Sequence, residues 1–137
     1  MEVLTKKIDF KEFQQMEFDD QDPFLYELLN GELVRKNTPS GIHQAIQSEL
    51  FGRMYIFITQ NKLGKIFASP TAVVLSDYDA PQPDLTFLRK ENSEKFDPDW
   101  GIKGAPDLVV EIISPSSIKR DRFDKKELYE RFGVKEY

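Results

Sequence analysis

The chain has 137 residues, with 19 Lys+Arg against 24 Asp+Glu, a formal net charge of −5, no cysteine and a single histidine. That length makes one domain with a core of its own, and the composition excludes disulfides, thiolate metal sites and any multi-histidine site within one chain. The acid excess argues against broad, non-specific nucleic-acid binding and leaves only a local basic patch for that purpose.

The opening residues Met1-Glu2-Val3-Leu4-Thr5-Lys6-Lys7 lack the apolar core of a signal peptide. No run reaches the ~18 apolar residues of a membrane span, so a cytoplasmic protein is expected. Asp9 followed by Glu12 resembles a capping box and predicts a short helix over 10–16. In Phe24-Leu25-Tyr26-Glu27-Leu28-Leu29-Asn30-Gly31-Glu32-Leu33-Val34-Arg35, Asn-Gly separates two strand-like runs. Both turn residues must take positive φ, which predicts a tight β-hairpin. Ile42, Ala45, Ile46, Leu50, Met54, Phe57 and Ile58 recur at helical spacing and predict an amphipathic helix over 41–61, ended by Asn61 and Gly64. On it, Glu49 is placed to pair with Arg53 four residues on.

Strands are expected near 65–69 and 71–76, then, after the turn-rich Asp77–Pro81, at Leu85–Leu88. Residues 91–105 read as a loop with one helical turn. The run Leu108-Val109-Val110-Glu111-Ile112-Ile113, bounded by Pro106 and Ser114-Pro115, reads as a buried strand. A helix near 117–132, stopped by Gly133, closes the order. Mixed α+β around one central sheet is the expected architecture.

Two anomalies carry chemistry. Glu111 is a lone carboxylate in an oily strand, where an unpaired charge costs several kcal/mol or takes a proton, so a cation is expected beside it. The last helix, traced back from Phe132, should pack through Leu128/Tyr129, Lys125, Asp121 and Ile118, so two charges interrupt its inward stripe. Lys125 is then either half of a surface Asp121–Lys125 pair or the missing cation of Glu111. Asp84, in Pro81-Gln82-Pro83-Asp84-Leu85, stands at a strand entrance, where an Asp beside Pro is otherwise a turn or cap residue. His43, near the start of the long helix, is more readily a structural histidine than a catalyst. Two carboxylates on neighbouring strands and a lysine suit a hard divalent ion, with the lysine orienting or helping deprotonate water. The same trio also makes a structural ion pair with no metal.

Gln82-Pro83-Asp84-Leu85, Ala105-Pro106-Asp107-Leu108 through Glu111 to Ser114-Pro115-Ser116, and Arg120-Asp121 through Lys125, Leu128-Tyr129 and Gly133-Val134 to Glu136-Tyr137 resemble one family. It is the Uma-two family of bacterial restriction-endonuclease-like proteins, in the PD-(D/E)XK nuclease superfamily; the hairpin and the helix opening at His43 also fit. The resemblance implies a restriction-endonuclease-like α+β core, a central mixed sheet flanked by helices, after an N-terminal helix and hairpin. It implies that Asp84 and Glu111 hold Mg²⁺ or Mn²⁺, with the Ile112 carbonyl as third ligand, and that DNA is the substrate.

The superfamily lysine expected two residues after Glu111 is Ile113 here, and the resemblance implies that Lys125 on the following helix replaces it. Lys119, Arg120, Arg122, Lys126 and Arg131 are either backbone contacts or a solvated helix face. Relatives continue past Glu136-Tyr137 with an apolar strand. A single domain over 1–137 lacking that strand would expose a sheet edge and invite pairing of two copies. The rival expectations are a catalytically silent domain that binds nucleic acid or protein, and a structural protein whose Glu–Lys pair only fixes the fold.

Overall fold

In a computed structural model, which describes residues 6–18, 20–22, 24–36, 39–115 and 123–137, the element order follows the sequence closely. Helix α1 (Phe10–Gln15) is capped by Asp9, whose carboxylate accepts from the Glu12 amide at 2.8 Å. Strands β1 (Leu25–Leu29) and β2 (Glu32–Lys36) form the expected hairpin, with Asn30 and Gly31 at φ of 51° and 76°. Positive φ at both turn positions is why Asn-Gly stands there. Helix α2 (Gly41–Gln60) starts at Ser40, whose side chain accepts from the His43 amide.

Strand β3 (Gly64–Ala68) pairs antiparallel with β5 (Leu85–Arg89), which pairs antiparallel with β8 (Leu108–Val110). A second ladder joins β4 (Ala72–Val74), β7 (Gly101–Lys103) and β6 (Phe96–Asp97), with β4 and β7 parallel. Where one sheet and a 91–105 loop are expected from sequence, there are thus three ladders counting the hairpin. The two short strands of this second ladder hold only two and three residues, too few to show a period. A 3₁₀ segment (Lys90–Lys95) supplies the expected helical turn. The division occurs at Ala80-Pro81-Gln82-Pro83, because proline has no N–H to extend a ladder. This segment bridges instead: Ala80 pairs with Leu28 of the hairpin, and Pro81 O accepts from Val73 N at 2.9 Å.

Buried Val73, Leu88 and Ile102 form one apolar cluster, flanked by the stacked rings of Phe67 and Phe96. Val109, Tyr129 and Val134 form another, between β8 and helix α3 (Lys125–Arg131). Gly133 ends α3 at φ 86°, the left-handed stop expected of it. Ile118 and Asp121, the start of the expected 117–132 helix, lie outside the described residues, as does the Asp121–Lys125 pair.

Three expectations are corrected. Strand β8 ends at Val110, so Glu111 stands at the strand's end and not in its middle. The outer edge of β8 is not wholly bare: Val109 N donates to Glu136 O at 3.0 Å, in a parallel bridge between Leu108 and Glu136. The long helix, moreover, is turned differently from the stripe read in its sequence. Its inward residues are His43, Gln47, Leu50, Phe51, Met54 and Ile58, whereas Ile42, Ile46 and Phe57 are 76%, 48% and 61% exposed. A helix apolar nearly all round gives no unique inward face by periodicity alone.

Candidate functional site

Asp84 and Glu111 come together at one end of the β3–β5–β8 ladder. Leu85 faces Val110 in register, and Asp84 and Glu111 are each the next residue beyond that pair. Asp84 is fixed on every side. Its Oδ2 accepts from the Ile112 amide at 2.7 Å, and its Oδ1 lies 3.3 Å from His43 Nε2. Its backbone carbonyl accepts from Gln47 Nε2 at 3.0 Å and from Ser69 N at 3.1 Å. His43 and Gln47 stand one turn apart on the inward face of α2, so the long helix and the β5–β8 pair jointly set this carboxylate.

Glu111 turns its side chain to α3. Lys125 Nζ donates to Glu111 Oε1 at 2.9 Å, and Tyr129 OH donates to the same oxygen at 2.8 Å. Lys125 and Tyr129 are four residues apart on one helical face, both buried. The same ammonium donates at 2.7 Å to Glu27 Oε1, on β1 of the hairpin. The side chains of Lys125, Glu27 and Glu111 are 2%, 0% and 3% exposed. Glu27 Oε1 also accepts from the Gln82 amide at 2.7 Å, which supplies that proline-flanked segment with a partner that a ladder would otherwise provide. Lys36 Nζ donates to Gln82 O at 2.6 Å from the other hairpin strand.

Burial pushes the Glu111 carboxyl up to about 7; the Lys125 charge opposes this and the Glu27 charge adds to it. For Lys125 burial acts downward, but Glu111 and Glu27 together outweigh it and hold the ammonium above its ordinary range. Burial, then the two glutamates, raises the Tyr129 phenol well above its usual value. Lys125 and Tyr129 are therefore donors at neutral pH, not bases.

A divalent cation is tested by the donor set. Glu27 and Glu111 give two carboxylates for one ammonium, and Glu27 Oε2 is buried with no hydrogen-bond partner among the described residues. This surplus of buried oxygen and negative charge suits a hard ion. No cluster of three or more Asp, Glu or His arranged to hold a metal occurs among the described residues. At the same strand end, Asp84 and Glu111 are two carboxylates of the kind that, with water and substrate oxygens, commonly hold Mg²⁺.

Of the residues expected from sequence, the structure brings Lys125 onto Glu111 and sets Asp84 opposite Glu111 at the ladder's end, and His43, expected more readily as structural than catalytic, lies against Asp84. Glu27, Gln47 and Tyr129 join them without having been expected from the sequence. Glu27 lies in a hairpin strand, where an acidic residue normally faces water, so its burial has no local signal. Tyr129 is on the inward stripe of α3, where the sequence predicts packing; its spacing of four from Lys125 is the available clue. Ile113, in the position of the usual lysine, is 44% exposed.

The mixed sheet-and-helix frame is that of a restriction-endonuclease-like protein. The chain belongs to the Uma2 family, whose model, described as "Putative restriction endonuclease", matches residues 10–137. It is similar in fold to a crystal structure from Anabaena variabilis described as a putative nuclease, at TM-score 0.74 and 21% identity, over 93% of this chain and 70% of that one. No curated protein matches the chain. Among the described residues no helix is long and apolar enough to cross a membrane.

Proposed function

We propose that this domain is a Mg²⁺-dependent endonuclease that hydrolyses DNA phosphodiester bonds. The observation that carries the reading is the Lys125 ammonium, 2.9 Å from Glu111 Oε1 and buried at the strand end where Asp84 also stands. Asp84 and Glu111 would hold the ion, or Mn²⁺ in its place, with the Ile112 carbonyl as a further oxygen ligand. The ion would polarise a phosphoryl oxygen and lower the pKa of bound water.

The chain's own residues do the rest. His43, Gln47 and the Ile112 amide fix Asp84. Tyr129 fixes the Glu111 carboxylate by a neutral hydrogen bond. Lys125 stays charged and offsets the negative charge that builds on phosphate oxygens, or orients the attacking water as a donor. Helping to deprotonate that water, the other role open to it, is disfavoured by the two glutamates that keep it protonated.

Supercoiled plasmid incubated with the protein and Mg²⁺ should be nicked or linearised. EDTA and Lys125→Met should each abolish the cleavage, and exposed Lys126→Ala should not. Equal cleavage by the two lysine variants would remove the role given to Lys125.

A second reading is favoured by the closure of the Glu27–Lys125–Glu111 network on itself and by the net charge of −5. In it the domain is catalytically silent and binds nucleic acid or protein. Such a domain would show no cleavage with either ion.

A further inference from the structure

Turning His43 and Gln47 inward leaves α2 with an outward face that carries exposed isoleucines around a charged centre, in a regular pattern. Ile42, Ile46, Glu49, Arg53, Ile56 and Gln60 follow one another at alternating steps of four and three residues, the repeat of a coiled-coil seam. Every one of them is exposed, Ile56 by 56% and the Arg53 and Glu49 side chains by 79% and 68%. Phe57, 61% exposed, flanks the seam near one end and the small Ala45 flanks it near the other. A lone helix facing water needs no such register of isoleucines.

The seam is also a palindrome about Phe51. Ile42 and Gln60, Ile46 and Ile56, and Glu49 and Arg53 are pairwise equidistant from that position. When a helix meets a second copy of itself antiparallel about a two-fold axis at its midpoint, those are the residues that face each other. Ile46 then meets Ile56 and Glu49 meets Arg53, while Ile42 meets the amide side chain of Gln60 at the two ends. Both Glu49–Arg53 contacts are of opposite sign, whereas a parallel pairing in register would set Glu49 on Glu49 and Arg53 on Arg53. Within one copy Arg53 Nε already lies 2.8 Å from Glu49 Oε1, so the two charges can be shared between helices without desolvating an unpaired ion.

We infer that the outward face of α2 is a self-complementary surface through which two copies of this chain pair, antiparallel, about a two-fold axis near Phe51. The occupant is a second copy because the charge complementarity, Glu49 against Arg53, and the Ile46–Ile56 contact are both internal to the seam. The inference is independent of the nuclease reading, since it uses none of the site residues.

One experiment tests it by sedimentation equilibrium of the full chain. Wild type should dimerise reversibly in the range of about 1–100 µM, as a short helical interface would. Glu49→Arg alone and Arg53→Glu alone should each weaken dimerisation by about tenfold or more, by setting like charges across the axis. The double exchange E49R/R53E restores opposite signs and should recover the dimer. Because the chain has no cysteine, I46C/I56C should oxidise to a covalent dimer, and Ile46→Cys alone should not. Its two copies would lie about 15 Å apart along the helix axis, beyond disulfide reach. Circular dichroism matching the wild type verifies that the exposed substitutions keep the fold. A monomer at every concentration, or a double exchange as monomeric as the single ones, would overturn the inference and leave this face to another segment or partner.

Discussion

Glu27 Oε1 and Glu111 Oε1 accept hydrogen bonds from one ammonium, that of Lys125, at 2.7 and 2.9 Å. The hairpin, the end of β8 and the first turn of α3 are thereby tied at one buried point. A lysine so placed fixes the fold and presents a charge at the candidate site together, so stability and activity must be measured separately.

Removing the lysine leaves two buried carboxylates without their cation. Lys125→Met should destabilise the protein by about 3–5 kcal/mol in chemical denaturation. The triple variant E27Q/E111Q/K125M removes the stranded charges and should recover much of that loss while staying inactive. A Lys125→Met protein as stable as wild type would show that the network contributes little.

The Glu111 shift sets a pH dependence in chelator. Its carboxyl titrates near 4.5 in the unfolded chain and at about 7 in the fold, so the folded state holds the proton longer. The contribution is fully present below pH 4.5 and is lost as pH rises to about 7. Metal-free stability should therefore fall across that window, by on the order of 3 kcal/mol from this group. Glu111→Gln should flatten the profile. An unchanged slope in the variant would assign the dependence elsewhere.

His43 Nε2 lies 3.3 Å from Asp84 Oδ1, so under the proposed reading its removal should loosen a ligand without abolishing the site. His43→Ala should weaken Mg²⁺ binding by about 10-fold to 100-fold, the range for groups that orient metal ligands. His43→Gln, which keeps a donor, should recover part of it. Equal affinities in all three proteins would give the 3.3 Å contact no function.

Much of this was legible from residues alone, for identifiable reasons. Asn30-Gly31 and Asp9 specify local geometry, so the hairpin and the first cap follow from short-range chemistry. Glu111 and Lys125 were legible because charges interrupt apolar patterns, and each violation pointed to the other. Glu27 was not, because its burial depends on Ala80–Gln82 crossing the hairpin, a contact far apart in sequence. The facing of α2 was hidden by too much hydrophobicity: with apolar residues on most sides, the helix was oriented by two polar residues, His43 and Gln47, reaching for Asp84. The short strands at Phe96–Asp97 and Gly101–Lys103 exist only through pairing with β4 and one another.

The most direct measurement is calorimetric titration of Mg²⁺ into the wild-type, Asp84→Asn and Glu111→Gln proteins at a pH above 7, where the Glu111 proton no longer competes. One ion should bind the wild type, and each variant should lose that binding while remaining folded. Heats that are the same in all three, or absent from the wild type, would contradict a metal site built on these two carboxylates.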